Sequence, residues 1–142
     1  MHKTLTVRTE VPVRFNEADP LGIVWHGHYI RYFEDGREAF GAQYGLTYLD
    51  FYKNGLVVPI VNIDCSYKKP LRYGDKVIVE TTYHNLKAAK ILFKYKLFHA
   101  QNGDLVATGS SVQVFLDHKT NHLHLNNPSF FESWKHKNGL PA

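Results

Sequence analysis

The chain has 142 residues, 44% of them hydrophobic and 21% charged, with a formal net charge of +4 and a single cysteine. That balance excludes wholesale disorder and a disulfide-built scaffold. The longest run without a polar residue, Leu56 to Val61, is far too short to cross a bilayer. The sequence pI of about 9.1 admits an anionic partner, but no nucleic-acid motif or long basic tract is present, so a small polyanion fits better than DNA or RNA. No repeat or linker breaks the chain, and one domain over 1–142 is expected.

Taken in chain order, Thr4 to Phe15 alternates with period two, with Leu5, Val7, Val11, Val13 and Phe15 on one side. Pro12 suits an edge or a bulge there. This start lacks the apolar block of a signal peptide, and with one thiol a cytoplasmic protein is expected. Asn16 to Trp25 has no period and carries Asp19-Pro20 and Gly22, which predicts a tight loop. From Gly27 to Tyr44, Tyr29, Ile30, Phe33, Phe40 and Tyr44 recur at three and four residues, which predicts a helix stopped by Gly45. Thr47 to Asn54 reads as a short second helix closed by Gly55.

Period two then returns in Val57 to Lys68, Asp75 to Leu86, Ala89 to Gln101 and Leu105 to Asp117. The first of these places Val61, Ile63, Cys65 and Tyr67 on an inner face. Asn102-Gly103 predicts a tight hairpin with both turn residues at positive φ. Pro128 to Lys137 predicts a tail helix that docks through Phe130, Phe131 and Trp134. The fold class is α+β, an antiparallel sheet with one long helix. One helix leaves sheet edges uncovered, so a homodimer or homotetramer is expected.

The chemistry concentrates in Asp19-Pro20-Leu21-Gly22-Ile23-Val24-Trp25-His26-Gly27-His28-Tyr29, where a carboxylate precedes a helix start. The first amides of a helix lack partners and carry partial positive charge, so they can hold an oxyanion. Asp19 can activate water or attack a carbonyl polarised by the amides around Trp25 and His26. Alternatively, Asp19 simply caps its own turn.

These residues resemble a known family. Asp19, Gly22, Val24, His26 and Tyr29, with Phe33-Glu34 and Arg37, and further on Tyr67, Pro70, Gly74 and Asp75, are similar to the pattern of the 4-hydroxybenzoyl-CoA thioesterase family. The resemblance covers roughly Val7 to Leu116 and implies the hotdog fold, a five-stranded antiparallel sheet wrapped around one long central helix. It implies hydrolysis of an acyl-CoA thioester with neither metal nor cofactor. Asp19 falls at the catalytic aspartate, the His26 amide, helped by Trp25, at the oxyanion site, and Tyr29 in the acyl pocket. This chain has His28 where relatives carry Asn. A non-catalytic acyl-CoA binder and a thioesterase acting on acyl carrier protein are the alternatives.

Other residues compete for roles. Glu34, Asp35 and Glu38 sit where another hotdog branch carries its carboxylate, while Glu34 and Arg37 are spaced to pair on the helix. Glu17 is expected at the surface; facing the cleft instead, it would raise the pKa of Asp19. Lys68, Lys69 and Arg72, with Lys87 and Lys90 in the next hairpin, form a basic cluster suited to the phosphates of CoA. His118, His122 and His124 lack accompanying carboxylates at ligand spacing, so no metal is expected. Cys65 reads as a buried structural thiol. Gly36 inside the helix points to close packing against a strand or a second subunit.

Overall fold

The computed structural model describes residues 4–142. Its strands are β1 (Thr4–Pro12), β2 (Leu56–Val57), β3 (Ile60–Tyr67), β4 (Lys76–His84), β5 (Lys90–His99), β6 (Leu105–Val114) and β7 (Leu116–Asp117). Its helices are α1 (His28–Tyr44), α2 (Tyr48–Lys53) and α3 (Ser129–Lys137). Five strands form one antiparallel sheet in the order β1-β4-β5-β6-β3, and β2 pairs with β7 in a separate ribbon. The helices and the meander therefore fall where the residue periods put them.

The differences lie at proline and glycine. β1 stops at Pro12, beyond which Phe15–Glu17 makes a single 3-10 turn. The second expected strand, Val57 to Lys68, divides at Val58-Pro59 into β2 and β3, because proline offers no ladder donor. β3 then runs along an open edge. Ile63 and Cys65 are half-buried on it, whereas Val61 and Tyr67 remain exposed. In the β5–β6 hairpin Gly103 alone takes positive φ, at 76°, and Asn102 uses its side chain to accept from the Asp104 amide at 2.9 Å. The hairpin stands, but with a five-residue loop between His99 and Leu105.

α1 lies across one face of the sheet and buries Tyr29, Tyr32, Phe33, Gly36, Phe40 and Gly41. Its amide ladder ends at Gly45, whose φ of 72° suits a glycine cap. Phe33 stacks on Tyr95 at 4.3 Å, with the rings 8° apart, and Phe40 packs edge-on against Phe93 at 5.0 Å. Gly36 is what lets α1 come this close. A Cβ there would overlap Thr81 Oγ1 and lie 2.7 Å from Val79 Cγ1 on β4. α3 locks the far end of α1: Trp134 Nε1 donates to the Tyr44 carbonyl at 2.7 Å, and the buried Lys135 Nζ donates to the Leu86 carbonyl at 2.7 Å. Phe131 is buried with Trp134, while Phe130 packs edge-on to Phe51.

Gly36→Ala separates packing from propensity. Helix propensity alone would stabilise the variant by about 1 kcal/mol, whereas overpacking against Thr81 costs about 1–3 kcal/mol. Packing dominates, so urea unfolding should show a net loss of stability.

Candidate active site

The loop between β1 and α1 is a tight hairpin. The Asp19 amide donates to the Ile23 carbonyl at 2.8 Å and the Trp25 amide to the Glu17 carbonyl at 3.0 Å, with Ala18 bridged to Val24. Regular antiparallel geometry then puts Asp19 diagonally across from Trp25, roughly 7–8 Å away. At the tip the Gly22 amide donates to the Asp19 carbonyl at 2.9 Å, with Gly22 at φ 80°. Asp19 Oδ1 accepts from the Leu21 amide at 2.8 Å. The turn-capping reading of Asp19 is thus correct for one oxygen. Oδ2 has no hydrogen-bond partner among the described residues.

The helix start is fixed from two sides. Tyr67 Oη donates to the His26 carbonyl at 2.8 Å, and the Val24 amide donates to the Leu71 carbonyl at 2.7 Å. The Trp25 ring lies over Gly27, where any Cβ would collide with it, and sits 4.9 Å from the His26 ring. His28 opens α1 with its ring edge-on to Trp25 at 5.6 Å. The expected help of the Trp25 amide is corrected here, because that N–H is committed to Glu17. The His26 and Gly27 amides find no acceptor among the described residues, and these two are free to meet a ligand oxygen. Tyr29 is buried; burial raises its pKa, and its ring packs edge-on to Tyr67 at 4.9 Å.

Glu17 overturns its expected surface place. It is 2% exposed and accepts from the Arg14 amide at 2.7 Å and from Tyr32 Oη at 3.0 Å on Oε1, while Arg31 approaches Oε2 at 3.6 Å. The signal available in the sequence was Tyr32: a tyrosine on the buried face of α1 needs a partner for its hydroxyl. Burial, then Glu17, pushes the Tyr32 phenol far up, so it stays a donor.

The basic residues divide. Lys68, Lys69 and Arg72 stand at the same end of the sheet as the helix start, and Lys69 is paired with Asp104 at 2.9 Å. Lys69 and Arg72 border a cleft of about 240 Å³. Lys87 and Lys90 do not join them. Lys90 is opposite Val114 at one end of the sheet, and His99 is opposite Val77 at the other, a separation of roughly 30 Å along β5.

A larger cavity, about 630 Å³, runs beside α1 toward α2, with Glu34, Arg37 and Glu38 on its helix wall. The expected Glu34–Arg37 ion pair is absent among the described residues; Arg37 Nη1 donates to Tyr95 Oη at 3.0 Å instead. Asp35 does not line this cavity, and burial raises its pKa. Burial also raises the pKa of the half-buried Cys65. His118 stacks on Tyr52 at 4.9 Å, and no group of three or more metal-donor side chains occurs among the described residues. No helix among them is long and apolar enough to cross a membrane.

Residues 13–136 match the family model of the thioesterase-like superfamily. A putative acyl-CoA thioesterase, YneP, from Bacillus subtilis is 34% identical over 78% of this chain and 79% of its own length. An acyl-acyl carrier protein thioesterase, ATL3, from Arabidopsis thaliana is 29% identical over 78% of this chain and 58% of its own. Among solved structures, a DHNA-CoA thioesterase from Staphylococcus aureus is 26% identical and superposes with a TM-score of 0.81, covering 96% of this chain and 97% of that one. The chain belongs to the thioesterase-like superfamily, and its α+β fold is the hotdog fold.

Glu17→Ala should cost about 2–4 kcal/mol in denaturant unfolding, the scale of leaving two buried donors without an acceptor. Thiol release should fall with it, because the same side chain holds the loop; unchanged stability would mean that Glu17 is not buried.

Proposed function

We propose that the protein hydrolyses acyl-CoA thioesters, with Asp19 as the reacting carboxylate and the His26 and Gly27 amides as the oxyanion site. The observation that carries this is their union in one hairpin: one carboxylate oxygen is pinned by the turn, the other is open, and two unpartnered amides stand across the loop. The thioester oxygen takes the amides, which stabilise the negative charge that develops as the carbonyl carbon becomes tetrahedral. Asp19 Oδ2 removes a proton from water as the new C–O bond forms, collapse breaks the C–S bond, and the departing thiolate takes up the proton that Asp19 holds. On the alternative route Asp19 Oδ2 attacks the carbon itself, the C–S bond breaks, the thiolate takes a proton from water, and hydroxide or water then cleaves the mixed anhydride to the free acid and the Asp19 carboxylate. Lys68 and Arg72 serve the phosphates of CoA from the rim. The single thiol suits a reducing compartment such as the cytoplasm.

The assembly is a homodimer joined through β3. β1, the other edge, carries Arg8, Glu10 and Pro12, which discourage pairing, whereas β3 presents Val61 at 58% and Tyr67 at 47% exposure. Antiparallel pairing of two β3 strands closes a twofold. It brings the helix start of one copy, which lies at the Tyr67 end, toward the other copy's Ile60 end, where the large cavity opens beside Val58. An acyl carrier protein substrate is the second reading, favoured by the resemblance to the Arabidopsis enzyme.

Thiol release from a panel of acyl-CoAs should fall at least about 10²-fold in Asp19→Asn, which keeps the shape and removes the basic oxygen. Equal turnover by the variant would remove Asp19 from the reaction, and turnover confined to acyl carrier protein would favour the second reading. Val61→Lys should shift the native dimer toward monomer in light scattering; a monomeric native protein would contradict pairing through β3.

A further inference from the structure

Arg37 is a half-buried cation without a counter-ion among the described residues. Its head is held in place: Nη1 donates to Tyr95 Oη at 3.0 Å, and Tyr95 Oη meets Ser111 Oγ at 2.5 Å, both of these side chains being almost fully buried. Tyr95 is itself fixed by its stack on Phe33. Glu34 and Glu38 flank Arg37 on the cavity wall, yet no carboxylate of the described residues comes within ion-pair distance of it, whereas Arg8 pairs with Glu80 at 2.6 Å and Arg31 with Glu17 at 3.6 Å. A guanidinium has five N–H donors, and the described residues use one of them. Removing such a group from water without an acceptor is costly, and an ordered arginine facing a cavity is a ready site for an electronegative oxygen.

The rest of the cavity is mixed, with Glu34, Glu38, Thr47 and Gln113 as polar groups beside an apolar stretch. Leu46, Phe51, Val58, Ile91 and Phe93 form that stretch, and the cavity volume of about 630 Å³ falls in the range of small-molecule sites, where a few polar groups set orientation within apolar walls. We propose that this cavity takes the acyl group and that Arg37 selects acyl groups carrying an oxygen acceptor remote from the thioester, a terminal carboxylate or a ring hydroxyl, over plain alkyl or aryl groups of the same length. This rests on the acyl-CoA reading above. Tyr95 is a positioning residue that aims the guanidinium.

The test compares kcat/KM for matched pairs: octanoyl-CoA against its ω-carboxylate, and benzoyl-CoA against 4-hydroxybenzoyl-CoA. The native enzyme should prefer the oxygen-bearing member of at least one pair by roughly 10- to 100-fold, the scale of a hydrogen bond to a charged group. Preference in the first pair alone identifies a carboxylate, and in the second alone a hydroxyl. Arg37→Gln should collapse the ratio toward one, and Tyr95→Phe, which keeps the stack, should lower it part of the way. No preference in the native enzyme, or an equal loss on every substrate in Arg37→Gln, overturns the proposal. If no acyl-CoA is hydrolysed at all, the thioesterase reading fails by itself, and calorimetric binding of the same four compounds to native protein and Arg37→Gln decides the selectivity by the same ratios.

Discussion

A carboxylate with almost no access to water ties the candidate site together. Glu17 ends the turn after β1, and its side chain reaches the Tyr32 hydroxyl on α1 while its carbonyl receives the Trp25 amide at the helix start. A buried charge persists only when its lone pairs are satisfied, and here a backbone amide, a phenol and a guanidinium surround it. The consequence is mechanical. The two arms of the Asp19 hairpin cannot part without stripping Glu17 of its partners, so the carboxylate at the tip and the free amides at the helix start keep their relative places. Catalytic groups that must act on one atom need such a frame.

Close packing supplies the second constraint. Gly36 lets α1 descend onto β4, and Gly109 leaves room on β6 for the Phe33 ring, since a Cβ there would come within 2.5 Å of it. The Phe33–Tyr95 stack that results places the tyrosine hydroxyl under Arg37. Two small residues thus fix a charged one, and the charged one faces the large cavity. The hairpin and this cavity lie along different stretches of α1, and in the proposed dimer a second copy paired through β3 would bring one chain's hairpin to the other chain's cavity. On this account a complete site needs two chains.

The period of the apolar residues made most of this fold legible. α1, α2, α3, the β4–β5–β6 meander and the stop at Gly45 follow from spacings of three and four or of two, together with glycine position. A tight loop at Asp19 was legible from Asp-Pro and Gly22, whereas its hairpin pairing of Ala18 with Val24 was not. Burial of Glu17 was not, because its partners come from Arg14, Arg31 and Tyr32, and a local pattern carries no record of where a distant hydroxyl will turn. The Arg37–Tyr95 bond was hidden for the same reason: Glu34 three residues away offers a local partner, and the sheet supplies a better anchored one. Lys87 and Lys90 follow Lys68 closely in sequence, yet the length of β4 carries the chain to the other end of the sheet before they arrive.

The most direct measurement is a crystal structure of Asp19→Asn with an intact acyl-CoA bound. The thioester oxygen should lie within about 3.2 Å of the His26 and Gly27 amide nitrogens, with the side chain at position 19 beside the carbonyl carbon and the acyl group in the cavity of Arg37 on the neighbouring chain. A thioester bound away from these amides, or an acyl group lodged elsewhere, would contradict this arrangement.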